Sequence, residues 1–99
     1  MTESLFVYGT LQDPEVQSRV FGRVTAGSPD TLDGYFKSSI TIGGSVYPIA
    51  VETAGAGVSG RVLDVTAAEL AQMDIYEGAE YRRIRVRLHS GREAWVYCA

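Results

Sequence analysis

Hydrophobic residues along this chain occur in short groups separated by glycine, proline, serine and aspartate, and most groups alternate with polar residues as in a β-strand. The pattern predicts about six strands. They are residues 5–7, Thr31 to Phe36, Ser45 to Glu52, Val58 to Val65, Tyr81 to Leu88 and Glu93 to Tyr97. A Ser90-Gly91 pair marks the turn between the last two. Many strands with few covering helices favour a small twisted or barrel-like sheet, because such a sheet leaves few unpaired edges.

The first of two predicted helices follows the first strand. Asp13 suits the N-cap, Pro14 suits the first helical position, and Gly22 suits the position just after the last helical residue. The apolar residues between them are Val16, Val20 and Phe21. This segment therefore predicts a helix of about two turns.

The second predicted helix opens at Thr66-Ala67-Ala68-Glu69, which has the spacing of a capping box. Gly78 ends it. Its apolar positions are Leu70, Met73 and Ile75. Strands in excess, with two short flanking helices, place the chain in the α+β class.

The composition is that of a folded globular chain. Of its 99 residues, 45 % are hydrophobic and 21 % are charged, close to the averages for folded chains, and a chain of this length has room for one core. We therefore expect a single domain over residues 1–99. The longest apolar runs fall short of the roughly 20 residues of a spanning helix, and residues 1–4 lack the features of a signal peptide. We expect a cytoplasmic protein with no membrane partner.

The net charge of −3 argues against nucleic acid as a partner, although five of the nine basic residues lie between Arg82 and Arg92. In that stretch Arg83-Ile84-Arg85-Val86-Arg87-Leu88 alternates, which predicts a strand with its arginines on one face. No aromatic residue interleaves with the arginines to stack on bases. The pattern favours a solvated outer face, and a protein-interaction surface remains an alternative.

One glycine pattern resembles a nucleotide-binding loop. Gly55-Ala56-Gly57-Val58-Ser59-Gly60 has the glycine spacing of dinucleotide-binding proteins and follows a predicted strand. That use requires a helix directly afterwards, whereas Arg61-Val62-Leu63-Asp64-Val65 is β-branched and alternating. We interpret the segment as a glycine-rich turn.

Residues for metal or nucleophilic chemistry are scarce. His89 is the only histidine and lies beside a turn, and Cys98 is the only cysteine. A zinc site needs three or four such ligands, and a Ser/His or Cys/His nucleophile needs a well-placed base. We expect no metal and no cofactor, so that any catalysis must use carboxylates, tyrosines or backbone groups.

Acidic residues cluster around the end of the second predicted helix, at Asp74, Glu77 and Glu80, with Tyr76 and Tyr81 beside them. Most carboxylates face water, and this is the simplest interpretation. Glu77, however, precedes the helix-ending glycine, where the negative end of the helix and partial burial raise a carboxyl pKa. A glutamate in this position is a candidate general base near neutral pH.

Several short motifs occur together in a fixed order. They are Tyr8-Gly9-Thr10-Leu11, Tyr47-Pro48, Gly60-x-Val62-Leu63, Met73-Asp74-x-Tyr76-Glu77-Gly78-x-x-Tyr81-x-Arg83 and Val96-Tyr97. This set spans nearly the whole chain and resembles the γ-glutamylcyclotransferase-like superfamily, in particular its small members akin to avirulence-induced proteins and γ-glutamylamine cyclotransferases. The resemblance implies a small mixed, twisted β-barrel with flanking helices.

The resemblance also implies roles for individual residues. In the superfamily the Tyr-Gly-Ser/Thr-Leu loop binds the γ-glutamyl moiety through backbone amides, and the glutamate of the Glu-Gly motif is the catalytic acid/base. The matching loop here is Tyr8, Gly9, Thr10 and Leu11, and the matching acid/base is Glu77. The expected wall residues are Tyr47, Tyr81 and Tyr97, of which Tyr81 fits the motif best.

The reaction that this resemblance implies needs no enzyme nucleophile. The α-amine of a small γ-glutamyl substrate attacks its own γ-carbonyl, which forms 5-oxoproline and releases an amine or amino acid. Glu77 would take the ammonium proton and give a proton to the leaving nitrogen. The amides of Gly9 and Leu11 would hold the α-carboxylate or the developing oxyanion, so these amides and Glu77 should face one cavity.

We therefore predict a cyclotransferase, as a monomer or homodimer, and the alternative is a barrel that binds or senses a small carboxylate without turnover. Two positions depart from the superfamily pattern. Met73 replaces the usual leucine, and Gln12-Asp13-Pro14 follows Leu11 in place of a basic residue and a glycine. The second departure lies beside the predicted ligand loop. The leaving moiety, whether amino acid, amine, isopeptide lysine or antibiotic intermediate, is left open.

Overall fold

A five-stranded sheet curls into a half-barrel and carries two α-helices in the computed structural model, which describes residues 2–99. The strands are β1 (Thr2–Val7), β2 (Ser28–Ile42), β3 (Ser45–Thr66), β4 (Arg82–Arg87) and β5 (Glu93–Cys98). The helices are α1 (Pro14–Phe21) and α2 (Ala67–Glu77), and a single 3₁₀ turn lies at Thr10–Gln12. This architecture confirms the predicted α+β class.

The strand count differs from the prediction because two predicted strands are one. Ser45 to Glu52 and Val58 to Val65 belong to the single 22-residue strand β3, and β2 likewise extends over 15 residues. The pairing register of β2 and β3 shifts between Asp33 and Tyr35 of β2. Asp33 pairs with Gly57 and Tyr35 pairs with Glu52, so β3 bulges between these two partners. The glycine-rich segment 55–60 is therefore part of a bulged strand, and its interpretation as a turn was wrong. A strand also follows it, as expected, where a dinucleotide site would need a helix.

The sheet has the order β2-β3-β1-β5-β4, with a further pairing between β3 and β5. Central β1 is antiparallel to β3 and parallel to β5. Ala50 near the start of β3 also pairs with Cys98 at the end of β5, so β3 meets both neighbours and the sheet curls. Both faces of β1 are buried, because Phe6 packs in one hydrophobic cluster and Leu5 packs in the other, against the helices.

The helix ends agree with their predicted caps. The Asp13 side chain accepts a hydrogen bond from the Glu15 amide at the start of α1, and left-handed Gly22 ends that helix. At the start of α2 both bonds of the Thr66–Glu69 capping box are present. Of the three apolar positions predicted for α2, Leu70 and Met73 are buried, whereas Ile75 is 83 % exposed. No helix within residues 2–99 has the length and apolar character to span a membrane.

The basic strand β4 has the predicted alternation. Ile84 and Val86 pack against the core, while Arg83 and Arg85 lie over the Trp95 ring of β5 with guanidinium-to-centroid distances of 4.4 and 5.2 Å. The sequence pattern missed this aromatic residue because it comes from the neighbouring strand. Both arginines also form ion pairs with acidic side chains of the same chain. The guanidinium groups of Arg83 and Arg85 are therefore largely occupied by contacts within the chain.

Candidate active site

An inner cavity of about 40 Å³ lies where the end of β1 meets the C-terminal end of α2. Its lining residues are Phe6, Val7, Tyr8, Gly9, Thr10, Leu11, Pro48, Glu77, Tyr81 and Tyr97. The predicted loop and the predicted acid/base, separated by almost seventy residues in sequence, thus line one cavity. Their roles in binding and catalysis stay predictions.

The loop after β1 presents unpaired backbone donors beside the cavity. Gly9 lies outside the strands, and Thr10 and Leu11 open the 3₁₀ turn, whose first N–H groups have no partner in the turn itself. Within residues 2–99 no group of the chain accepts a hydrogen bond from the amides of Gly9, Thr10 or Leu11. Three consecutive amides are therefore available to an anionic ligand.

Gly9 lacks a side chain for a packing reason. A Cβ at this position would lie 2.7 Å from Cγ of Pro48, closer than carbon atoms approach one another. The space on the Cβ side of Gly9 is filled by the Pro48 ring. Pro48 thus fixes the position of the loop that carries the free amides.

The hydroxyl of Tyr8 is committed to the fold. It donates a hydrogen bond to the Tyr97 carbonyl and accepts one from the Ala50 amide at 3.0 Å. Burial raises the pKa of Tyr8 well above its usual range, so the hydroxyl stays protonated. Tyr8 contributes its ring to the cavity wall, while its hydroxyl ties β5 to β3.

Glu77 is the last residue of α2 and is partly buried. Its carboxylate forms no hydrogen bond or ion pair with another side chain or amide in residues 2–99. Burial raises the pKa of Glu77 from 4.5 to about 7, because a carboxylate loses hydration in the cavity and gains no compensating partner. A carboxyl group in this state can exchange a proton near neutral pH.

Tyr81 lies beside Glu77 at the opening of the cavity. Its hydroxyl donates a hydrogen bond of 2.7 Å to the Pro48 carbonyl. Burial, with the nearby Glu77 carboxylate, raises the pKa of Tyr81 to about 12. The lone pairs of this hydroxyl remain available to a ligand donor.

Tyr47 does not line the inner cavity. It lines an outer groove of about 250 Å³ that shares Thr10, Glu77 and Tyr81 with the inner cavity. The other residues of the outer groove are Ile42, Tyr76, Gly78 and Glu80. Ligand sites commonly measure about 300–1,000 Å³. A ligand larger than a few atoms must therefore use the outer groove as well.

An ion-pair network braces the end of α2 behind the cavity. Asp74 receives two hydrogen bonds from Arg83, at 2.8 and 3.1 Å, and one from the Tyr97 hydroxyl at 2.6 Å. Partial burial acts to raise the pKa of Asp74, but the bonds from Tyr97 and Arg83 outweigh it and hold the pKa below its usual value. The motif contained Asp74 and Arg83, but nothing in their spacing revealed that Tyr97 completes the network.

A larger groove of about 460 Å³ lies between α1 and α2. Its lining includes Val16, Val20 and exposed Ile75, and Arg19 is its one charged residue within the described chain. Among the described residues that line it, none carries a carboxylate. The partly buried carboxylate of Glu77 lies instead at the inner cavity and the outer groove.

The chain and its half-barrel fold match proteins of one class. The family model described as "Gamma-glutamyl cyclotransferase, AIG2-like" matches residues 5–99. In Arabidopsis thaliana, "AIG2-like protein A" is 37 % identical over 84 residues, and "Protein AIG2 C" is 32 % identical over 88 residues. These matches cover 84 % and 88 % of this chain.

Solved structures agree with the sequence relatives. The solution structure of an Arabidopsis thaliana protein has a TM-score of 0.83 and 28 % identity, and the match covers 99 % of this chain and 62 % of that one. A structure named "Gamma-glutamyl cyclotransferase" has a TM-score of 0.82 at 17 % identity, covering 99 % and 66 % of the two chains, which shows a shared fold.

The chain therefore has a cyclotransferase-like fold. It belongs to the γ-glutamyl cyclotransferase, AIG2-like family. It spans about half the length of the curated relatives it matches, at 50 % and 52 % of the two Arabidopsis proteins.

Proposed function

We propose that this protein is a γ-glutamyl cyclotransferase that converts a small γ-glutamyl compound into 5-oxoproline and a free amine or amino acid. The observation that carries the proposal is a partly buried glutamate without a partner, Glu77, in the same cavity as three free backbone amides. Membership of the family supports the same reaction class.

The loop amides bind the anionic end of the substrate. The α-carboxylate, or the oxyanion that develops on the γ-carbonyl, accepts hydrogen bonds from the N–H groups of Gly9 to Leu11. Because the reacting amine and carbonyl belong to one molecule, holding the glutamyl chain in its folded shape supplies much of the acceleration. The protein then needs no nucleophile of its own.

Glu77 moves the proton. As a carboxylate it removes a proton from the substrate ammonium, and the free α-amine attacks the γ-carbonyl carbon. Protonated Glu77 then gives this proton to the leaving nitrogen as the amide bond breaks. The second proton of the attacking nitrogen passes to the released amine, so the products are 5-oxoproline and an ammonium group. A pKa of about 7 suits both halves of this exchange, because the ionised and the protonated forms of Glu77 are both populated near neutral pH.

The test is 5-oxoproline release from a panel of γ-glutamyl amino acids and γ-glutamyl amines. For the best substrate, Glu77→Gln should lower kcat by about 10²- to 10⁴-fold, the usual contribution of an acid/base group. Its Kd for the same substrate should change far less, because glutamine keeps the shape of the side chain. The wild-type kcat/KM should rise with pH through about 7, as Glu77 ionises.

Glu93→Gln is the matched control, because it removes an exposed carboxylate from the opposite end of β5. It should keep wild-type activity. An active Glu77→Gln variant would exclude Glu77 as the base. If no compound yields product but one still binds at the site, the alternative of a binding or sensing protein is favoured.

A further inference from the structure

A short part of β3 contacts the candidate site on two sides. The Ala50 amide donates a hydrogen bond of 3.0 Å to the Tyr8 hydroxyl. The Pro48 carbonyl accepts a hydrogen bond of 2.7 Å from the Tyr81 hydroxyl, and the Pro48 ring fills the space beside Gly9. This part of β3 therefore touches both the loop after β1 and the segment between α2 and β4.

Pro48 is the residue of β3 that contacts both sides by itself. A Cβ at Gly9 would lie 2.7 Å from Cγ of Pro48, 3.7 Å from its Cδ and 3.9 Å from its Cβ. The close approach is therefore made by the ring, and an alanine at position 48 would leave ordinary contact distances. The ring also restricts the backbone of Pro48 to a narrow range of φ, which makes it a stiff support.

The two sides that Pro48 joins carry the two kinds of group that the proposed reaction uses. The loop side carries the free amides of residues 9–11, and the other side carries Glu77, four residues before Tyr81. All of them line the inner cavity. The folded substrate must contact the amides and the carboxylate at the same time. A displacement of about 1 Å in such an arrangement can lower a rate by about 100-fold.

We propose that Pro48 is a positioning residue that sets the separation between the loop amides and the Glu77 carboxylate. The inference rests on the proposed function. The ring of Pro48 determines where the loop lies, and its carbonyl holds Tyr81 and with it the segment that follows Glu77. Pro48 transfers no proton, so it acts only through the groups on its two sides.

Pro48→Ala tests the role of the ring, because it removes Cγ and Cδ and keeps the carbonyl. In samples whose amide spectra are those of a folded protein, kcat for the best γ-glutamyl substrate should fall by about 10- to 100-fold, with a smaller change in KM. The pH midpoint of kcat/KM should stay near 7, because Glu77 remains buried. A midpoint that moves toward 4.5 would show that water has entered the site, and would overturn a role confined to position.

Pro48→Val is the conservative variant. Valine has carbon atoms at the γ position and suits a strand, but it restores the backbone N–H that proline lacks. It should recover most of the kcat that Pro48→Ala loses. If it recovers none, the missing N–H and not the side-chain contact is what matters, and the proposal fails.

Pro29→Ala is the matched control. Pro29 is exposed in β2 and lines neither the inner cavity nor the outer groove. The variant should keep the wild-type kcat and KM. An equal loss of kcat in Pro29→Ala and Pro48→Ala would contradict a specific role for Pro48.

Gly9→Ala adds the Cβ that the Pro48 ring excludes. It should lower kcat by about 10-fold or more in the wild type. In Pro48→Ala the same substitution should cost much less, because the nearest remaining side-chain atom at position 48 would lie 3.9 Å from the new Cβ. Equal losses in the two backgrounds would show that the two positions act independently, contrary to the proposal.

Amide NMR spectra test the same link without a substrate. Tyr81→Phe removes the hydrogen bond to the Pro48 carbonyl and keeps the aromatic ring. The amide signals of residues 9–11 should therefore shift in this variant. They should shift much less when Tyr81→Phe is made in Pro48→Ala, because the ring that transmits the change is absent. Loop signals that do not respond to Tyr81→Phe in either background would overturn the link.

The outcomes separate this inference from the proposed function. If Pro48→Ala is folded and keeps the wild-type kcat, the inference fails and the cyclotransferase function stands. If no γ-glutamyl compound is turned over, the function fails, and the amide spectra decide alone whether Pro48 connects the loop to Tyr81.

Discussion

At the scale of single residues, burial of the Glu77 carboxylate lowers the free energy of unfolding when the group is ionised. Its pKa rises from 4.5 to about 7 on folding, so between these pH values the native protein holds a proton that the unfolded chain releases. Stability is therefore present at low pH and is lost as pH rises through this range, by up to about 3 kcal/mol. Glu77→Gln has no charge to bury. Urea unfolding should show it more stable than the wild type above pH 7, by about 1–3 kcal/mol.

The difference in stability between the two proteins should close as pH falls through 4.5, because below this value Glu77 is protonated in both the folded and the unfolded wild type. Parallel stability curves from pH 4 to pH 8 would contradict the burial of an unpaired carboxylate at this position.

At the scale of elements, α2 is fixed at both ends. Its start is closed by the capping box, and Arg23 also pairs with Glu69 there, at 2.7 Å. Its end is held by Asp74, one helical turn before Glu77. Asp74→Asn keeps the shape but removes the charge that Arg83 binds. Because Asp74 is 43 % exposed and solvent screens the pair, the loss at pH 7 should be only about 0.5–1 kcal/mol, measured by urea unfolding.

The contribution of Asp74 to stability changes with pH in the opposite direction to that of Glu77. The pKa of Asp74 is lowered on folding, so its contribution is present above the unfolded pKa and is lost as pH falls through the folded one. Wild type and Asp74→Asn should therefore converge in stability in acid. A difference that persists at low pH would show that the substitution acts through packing and not through charge.

At the scale of the whole molecule, the curl of the sheet depends on the junction of β1, β3 and β5. Tyr8 lies just beyond β1, and its hydroxyl joins Ala50 of β3 to Tyr97 of β5. Tyr8→Phe removes one oxygen and leaves a buried N–H and a buried carbonyl without this partner. It should lower the free energy of unfolding by about 1–3 kcal/mol. Thermal and urea unfolding would measure the loss.

Tyr35→Phe is the control for that substitution. Tyr35 packs against the same cluster as Tyr8, but its hydroxyl forms no side-chain hydrogen bond within the described residues. Tyr35→Phe should therefore lower the free energy of unfolding by well under about 1 kcal/mol. Equal effects of the two substitutions would contradict the role of Tyr8 in closing the sheet.

The sequence predicted those features that depend on neighbouring residues. The caps at Asp13 and Thr66, the ends at Gly22 and Gly78 and the alternation of β4 each follow from contacts within a few positions, and the structure confirms them. The motifs also indicated the family, because the loop at Gly9 and the glutamate at Glu77 keep their order and context. The predicted number of strands was wrong, because Gly55 and Gly57 resemble turn residues in the sequence. Only the pairing of β2 with β3 on both sides of these glycines shows that the strand continues through them.

By itself, then, the sequence determined the class of fold, both helices and the two stretches that line the candidate site, because these depend on local propensity and patterning. Only the tertiary structure decided why Gly9 has no side chain, where the hydroxyl of Tyr8 is bonded, and how strongly Glu77 is desolvated. These properties arise between residues far apart in the chain, 42 positions for Tyr8 and Ala50 and 89 for Tyr8 and Tyr97. Burial and hydrogen bonding at such separations depend on how the sheet curls.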